Sequence, residues 1–133
     1  MVAVELSKII IDEKRQDQII VLKEKAGDRQ FPIVIGFLEA SSIQMRIAGV
    51  AASRPLTHDL ILTMIKTVDA QMESLVIDKM IENTFHAKIY LRLKDGITKI
   101  IDCRPSDGIA LAVRTEAPIF VDDDVMQHAV VFK

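Results

Sequence analysis

Residues 85–112 read FHAKIYLRLKDGITKIIDCRPSDGIALA, and the fold class follows from this stretch. Phe85, Ala87, Ile89, Leu91 and Leu93 alternate with His86, Lys88, Tyr90, Arg92 and Lys94, the period-two pattern of a strand with one buried face. Asp95-Gly96 is a strong hairpin turn, and Ile97 to Asp102 returns as the partner strand. Arg104-Pro105-Ser106-Asp107 then changes the period to that of a helix. Proline lacks the N–H that a first turn leaves unpaired, and an early Asp favours the positive end of the dipole. The helix runs to about Thr115, because Pro118 forbids continuation. Ile119-Phe120-Val121 reads as a short last strand, followed by Asp122-Asp123-Asp124 and a partly apolar tail.

Towards the N-terminus the same pattern appears. Val2, Val4 and Leu6 alternate with polar or small neighbours, and Ile9-Ile10-Ile11 extends the run. After a charged stretch from Asp12 to Asp17, Ile19 to Leu22 reads as a second strand. Ala26-Gly27-Asp28 turns the chain into Phe31-Pro32-Ile33-Val34-Ile35, which Gly36 ends. A helix follows with Ala40, Ile43 and Ile47 on one face, stopping at Gly49. A second helix starts at Arg54-Pro55-Leu56-Thr57-His58-Asp59, with Thr57 as its expected cap and Leu60, Ile61, Met64, Ile65 and Val68 as its apolar stripe. Ser74 to Ile81 is the strand before the quoted stretch. Laid over one another, the two halves align Glu39-Ala40 with Asp107-Gly108, Ile43 with Leu111 and Arg46 with Arg114. The reading is an α+β chain, one domain over residues 1–133. Its mixed sheet is built from a duplicated β-β-β-α unit, with the Thr57 helix between the copies.

Composition narrows the function. Half of the 133 residues are hydrophobic but only 5% are aromatic, and Ile and Val supply 31 of the apolar positions, which suits a pleated core. Seventeen basic against nineteen acidic residues give a net charge of −2, so any nucleic-acid site must be a local patch. A single Cys excludes an internal disulfide and a cysteine-based zinc cluster. No apolar run approaches the roughly 20 residues of a membrane helix. The opening Met1-Val2-Ala3-Val4-Glu5 lacks the basic and apolar regions of a signal peptide. A cytoplasmic protein with no membrane partner is expected, and the aliphatic content suggests a homo-oligomer.

The candidate chemistry sits at element ends. Arg54 and Arg104 each precede a proline and a hydroxyl residue at a helix start, where unpaired N–H groups favour anions; Arg54, Arg104 and Ser106 therefore form a candidate phosphate-binding set. The same residues are also ordinary helix-start residues. His58 can act as general acid or base, with Asp59 beside it, and Asp102 and Asp107 complete the candidate catalytic group. Glu39, Asp102 and Asp107 lie at or just after strand ends, where carboxylates can hold Mg²⁺ or Mn²⁺; Asp102, Arg104 and Asp107 can equally be salt bridges that fix the loop. Lys88, Tyr90, Arg92 and Lys94 make the nearest approach to a basic, aromatic nucleic-acid face, and a plain solvated sheet surface explains them as well. Cys103 reads as a packing residue.

Four segments together carry a resemblance. These are Phe31-Pro32-Ile33-Val34-Ile35-Gly36 with Glu39-Ala40, Arg54 to Asp59, Thr84-Phe85-His86-Ala87, and Asp102-Cys103-Arg104-Pro105-Ser106-Asp107-Gly108-Ile109-Ala110-Leu111-Ala112. In order and spacing the chain resembles the bifunctional nuclease domain family over nearly its whole length. It departs at Cys103 and Gly108, where the family usually has Ala, at Asn83 for Gly, and at His86 for Tyr; no acid, base or Arg of the motifs is lost. The resemblance implies a single α+β domain and cleavage of both DNA and RNA, an activity attributed to plant members. It points to Arg54, His58, Asp59, Asp102, Arg104, Ser106 and Asp107. The function expected is hydrolysis of phosphodiester bonds with divalent metal. The alternative is a non-enzymatic anion- or nucleotide-binding regulatory module, or a scaffold.

Overall fold

The computed structural model describes residues 1–12, 14 and 16–129; the rest of the charged stretch, residues 13 and 15, and the tail residues 130–133 lie outside the described residues. Strands β1 (Val2–Ile10), β2 (Asp17–Glu24) and β3 (Gln30–Gly36) form one antiparallel meander, and β4 (Gln71–Ile81), β5 (Thr84–Arg92) and β6 (Thr98–Cys103) form another. The short β7 (Ile119–Val121) joins them, antiparallel to β1 and parallel to β4, in a seven-stranded mixed sheet of order β3-β2-β1-β7-β4-β5-β6. Helices α1 (Phe37–Ile47) and α3 (Pro105–Thr115) each follow one meander directly, α2 (Thr57–Thr67) lies between the halves, and α4 (Asp123–Ala129) closes the described chain. The α+β class is as the residue pattern predicts, and the element order is β-β-β-α twice.

The alternation in β5 carries through to burial: Ala87, Ile89 and Leu91 are buried, whereas the strand stops at Arg92 and leaves Leu93 to the turn. There the Leu93 N–H donates to the Ile97 carbonyl at 2.8 Å and Gly96, at φ 90°, supplies the left-handed turn. Three local expectations change. Leu56, not Thr57, precedes the first turn of α2, and the Asp59 carboxylate accepts its N–H at 2.9 Å, so the acid closes that helix end. The tail contains α4, because Asp122 Oδ1 accepts the Asp124 N–H at 2.9 Å and caps a turn that buries Val125, Met126 and Ala129. The stripe expected on α2 is the larger correction: Leu60, Met64 and Val68 are more than half exposed, Ile61 and Leu62 are partly buried against the core, and the buried residue of the helix is His58.

The core lies between the sheet and α1, α3 and α4. Phe31, Ile20, Leu22, Leu75, Ile77, Ile43 and Ile109 are fully buried, and Phe31 meets Phe85 at 5.4 Å between ring centroids. Helix α3 approaches the sheet closely at Gly108, where an added Cβ would lie 2.4 Å from Leu75 Cδ1. Leu75→Ala should cost about 2–5 kcal/mol by opening a cavity. Adding Gly108→Ala puts a methyl group into that space, so the double variant should be more stable than the sum of the two single effects. A urea double-mutant cycle measures this, and strict additivity would contradict the contact.

Candidate functional site

The first turns of three helices meet over one end of the sheet. Glu39 and Ser42 stand on α1, His58 and Asp59 on α2, and Asp107 on α3, with Arg104 at the residue that precedes α3. Each helix has an acid in its first turn, which the positive dipole end favours. Ser42 and His58 are buried, at 5% and 6% exposure, where an unpaired polar group would be costly. They are not unpaired: Ser42 Oγ lies 2.7 Å from His58 Nδ1, and His58 Nε2 lies 2.9 Å from Asp107 Oδ1.

Arg114 Nη2 donates to Ser42 Oγ at 2.9 Å, and the hydroxyl keeps its own proton to offer His58 Nδ1. With Nδ1 accepting, the ring proton is on Nε2 and is donated to Asp107. Arg114, with 5% of its side chain exposed, also donates from Nε to Asp59 Oδ1 at 2.8 Å and from Nη1 to the Ala110 carbonyl at 2.9 Å. On the other side, Arg104 donates from Nε to Asp107 Oδ2 at 2.8 Å, and from Nη2 to Asp107 Oδ1 at 3.2 Å and Glu39 Oε1 at 3.3 Å. One connected chain therefore runs Glu39–Arg104–Asp107–His58–Ser42–Arg114–Asp59.

Access differs along this chain. Arg114, Ser42 and His58 in its inner stretch are buried, whereas Arg104 has 66% of its side chain exposed and its Nη1 makes no hydrogen bond among the described residues. Arg104, Asp107, His58 and Glu39 border a cavity of about 370 Å³ between α1 and α2, floored by Leu38, Met45 and Leu56. Arg104 also borders a second cavity of about 400 Å³, where Ser106 lies beside Pro32, Gly36 and Phe85. Burial raises the Asp107 carboxyl pKa, but hydrogen bonds from Arg104 and His58 outweigh it and hold the group below the usual carboxylate range. The Arg114 hydrogen bond does the same for Asp59. Asp107 in turn raises the Arg104 guanidinium above its ordinary value.

The structure thus brings together five of the residues singled out from sequence, namely Glu39, His58, Asp59, Arg104 and Asp107. Ser106 is buried one residue inside α3, not capping it, and lines the second cavity. Arg54 is exposed in the connection before α2 and borders a separate groove. Asp102 stands elsewhere. Cys103 is the strand residue whose Sγ approaches Gly108, so Asp102 faces the opposite side of β6, exposed, with Lys88 Nζ at 3.0 Å. Lys88 also pairs with Asp78, Arg92 with Gln71 and Lys94 with Asp69, so the basic strand face is largely matched by its own neighbours. Burial pushes the Cys103 thiol up to about 11, as fits a packing residue. Ser42 and Arg114 were not singled out as site residues. The signal available for Ser42 is its spacing, three residues after Glu39 and four before Arg46, which puts the three on one side of a helix that also carries Ser41 and Gln44.

The three carboxylates expected to hold a metal do not fit one as placed. Glu39 and Asp107 already share the Arg104 guanidinium and Asp102 is on the other face; among the described residues no group of three or more His, Cys, Asp or Glu side chains is arranged to hold a metal ion.

An α+β domain with a histidine–aspartate–arginine cluster at converging helix starts is the class that the fold and the site define. The family model for the bifunctional nuclease domain matches residues 20–133, and the chain belongs to that family. It is 36% identical over 121 residues to an uncharacterized protein of Mycobacterium tuberculosis, covering 91% of this chain and 71% of that protein. It is 29% identical over 114 residues to bifunctional nuclease 2 of Oryza sativa subsp. japonica, and 24% identical over 115 residues to bifunctional nuclease 1 of Oryza sativa subsp. indica. Those two matches cover 84% of this chain and only 35% and 34% of the rice proteins.

The carboxyl shifts predict an acid limb of stability. Both Asp107 and Asp59 are held below the ordinary aspartate range when folded, so their stabilisation is present above that range and is lost as the pH falls through the depressed folded values. Asp107→Asn should lower Tm at neutral pH and flatten the acid limb, as read by thermal melts from pH 7 to below pH 3. An unchanged acid limb would remove Asp107 from the linkage.

Proposed function

We propose that this domain hydrolyses phosphodiester bonds in DNA and RNA at the cavity bordered by Arg104, Asp107 and Glu39. The observation that carries this reading is the exposed member of the polar chain: a two-thirds exposed arginine with Nη1 free of partners among the described residues, set against an ionised carboxylate. Membership of a family named for nuclease activity supports it. Arg104 binds the non-bridging oxygens of a phosphodiester, matching its planar fork to the anion. As the guanidinium turns to substrate, Asp107 loses the larger of the two hydrogen-bonding influences that lower its pKa and becomes a better base. Asp107 then takes a proton from the attacking water. The water oxygen bonds to phosphorus, the phosphorus–oxygen ester bond breaks, and the leaving oxygen takes its proton from solvent. His58 is the positioning residue, since its ring is only 8% exposed and holds Asp107 from behind.

The test is cleavage of single- and double-stranded DNA and RNA by stringently purified protein, in EDTA, Mg²⁺ and Mn²⁺ separately. Arg104→Ala and Asp107→Asn should each lower kcat/KM by about a hundredfold or more. His58→Gln should also lower stability by about 1–3 kcal/mol, because Ser42 and Asp107 lose a buried partner. Unaltered cleavage by the Arg104 and Asp107 variants would displace the site. A wild type inert in all three media would overturn hydrolysis and leave the second reading, a non-enzymatic anion-binding module. What favours that module is the inner half of the chain, where Ser42, His58 and Arg114 are buried and fully matched, as a structural network requires.

A further inference from the structure

Beside α2, lined by Arg114 and Asp59 and not by Asp107, lies a groove of about 480 Å³ that the proposed reaction does not use. It runs between the C-terminal end of α1, the exposed connection at residues 48–56, and α2. Four of its lining residues are cations, Arg46, Arg54, Lys66 and Arg114, against one carboxylate, Asp59. Asp59 is already taken by Arg114. Arg46, Arg54 and Lys66 are exposed, and their side chains have no hydrogen-bond or ion-pair partner among the described residues. The groove is thus a local positive site in a chain whose net charge is −2. The strand face of Lys88, Arg92 and Lys94 shows the opposite arrangement, each cation having an acceptor beside it.

We infer that this groove binds the phosphate backbone of a nucleic-acid strand and feeds it to Arg104. Like charges held around one concavity repel until an anion lies between them, and exposed cations give up little hydration to meet it. Met45, Val50 and Leu62 supply apolar wall against which sugars and bases can rest. Met45 and Leu56 line both this groove and the Arg104 cavity, so a strand leaving one enters the other. The ligand rests on the nucleic-acid part of the proposed function and is independent of whether hydrolysis occurs.

The test compares two triple charge reversals that change net charge equally: Arg46→Glu/Arg54→Glu/Lys66→Glu in the groove, and Lys79→Glu/Lys94→Glu/Lys99→Glu on the β4–β6 side. Binding of fluorescein-labelled DNA and RNA strands of roughly 20 nucleotides is read by anisotropy in EDTA across a salt series; the groove variant should lose at least tenfold in affinity, with the slope of log K against log salt shallower by about 2. The control should lose no more than about threefold, from net charge alone. Inorganic tripolyphosphate as competitor separates sources: displacement of the strand only at large excess supports a backbone site, whereas stoichiometric displacement identifies a small-polyphosphate site and overturns the strand. Equal losses in the two variants overturn the groove. If the wild type cleaves and the groove variant binds and cleaves like it, the groove fails while hydrolysis stands. If the wild type binds through the groove but does not cleave, hydrolysis fails and the groove stands. Circular dichroism of both variants checks folding, and single Arg54→Gln and Lys66→Gln variants should each give a partial loss if a triple variant unfolds.

Discussion

The docking of α2 depends on a histidine. A helix on a sheet is ordinarily held by an apolar stripe, yet the stripe of this helix points largely to solvent and the buried side chain is His58. Its ring enters the space between α1 and α3 and satisfies a hydroxyl on one and a carboxylate on the other. Buried polar contacts of this kind are demanding, because a half-satisfied network in a low dielectric is worse than none. The chain meets that demand by continuing the network outward through charged groups, Arg114 with Asp59 on one side and Arg104 with Asp107 on the other. Helix position and carboxylate ionisation are therefore set together.

Network and core are coupled through α3. That helix is buried along most of its length, at Ile109, Ala110, Leu111 and Ala112, and Gly108 lets it come against Leu75. Asp107, one residue before this close approach, is thereby held to the sheet by packing and to α2 by hydrogen bonding. Preorganisation of a site requires such a rigid support, since small displacements of a reacting group are expensive. The mobile partner in any chemistry is then Arg104, the exposed residue of the set, whose long contact to Glu39 at 3.3 Å is the weakest bond in the chain.

Much of this was legible in the residues, and the remainder was hidden for identifiable reasons. The alternation in Phe85–Lys94 and the Arg-Pro-Ser-Asp start of α3 are local signals, so the elements and the importance of Arg104 and Asp107 could be read directly. The pairing of His58 with Asp107 spans 49 residues and depends on helix packing, which no local pattern encodes. Asp102 joins the candidate site by its place at a strand end that leads into a helix; the parity of β6 sends it to the other face once Cys103 turns inward against Gly108. Arg114 stood in the sequence as the counterpart of Arg46, with no sign that one is buried and the other exposed. The α2 stripe misled because helical periodicity reports amphipathicity and not which surface covers it.

Arg104 and Arg114 show why residue type alone cannot assign a role. Both sit at ends of α3 and both bind an aspartate through Nε at 2.8 Å. Arg114 spends its remaining donors inward, on Ser42 and the Ala110 carbonyl, and 5% of its side chain reaches solvent. Recruiting it to a ligand would strand Asp59 and Ser42, so its charge is structural. Arg104 keeps Nη1 free of partners among the described residues and 66% of its side chain in water, so a new acceptor can approach it without uncovering a buried group. A net charge of −2 conceals this division, because it adds cations already bound to carboxylates to cations whose side chains have no such partner among the described residues. Arg46, Arg54 and Lys66 beside α2 are of the second kind, whereas Arg104 at the start of α3 is paired with Asp107 and Glu39 and keeps only Nη1 open.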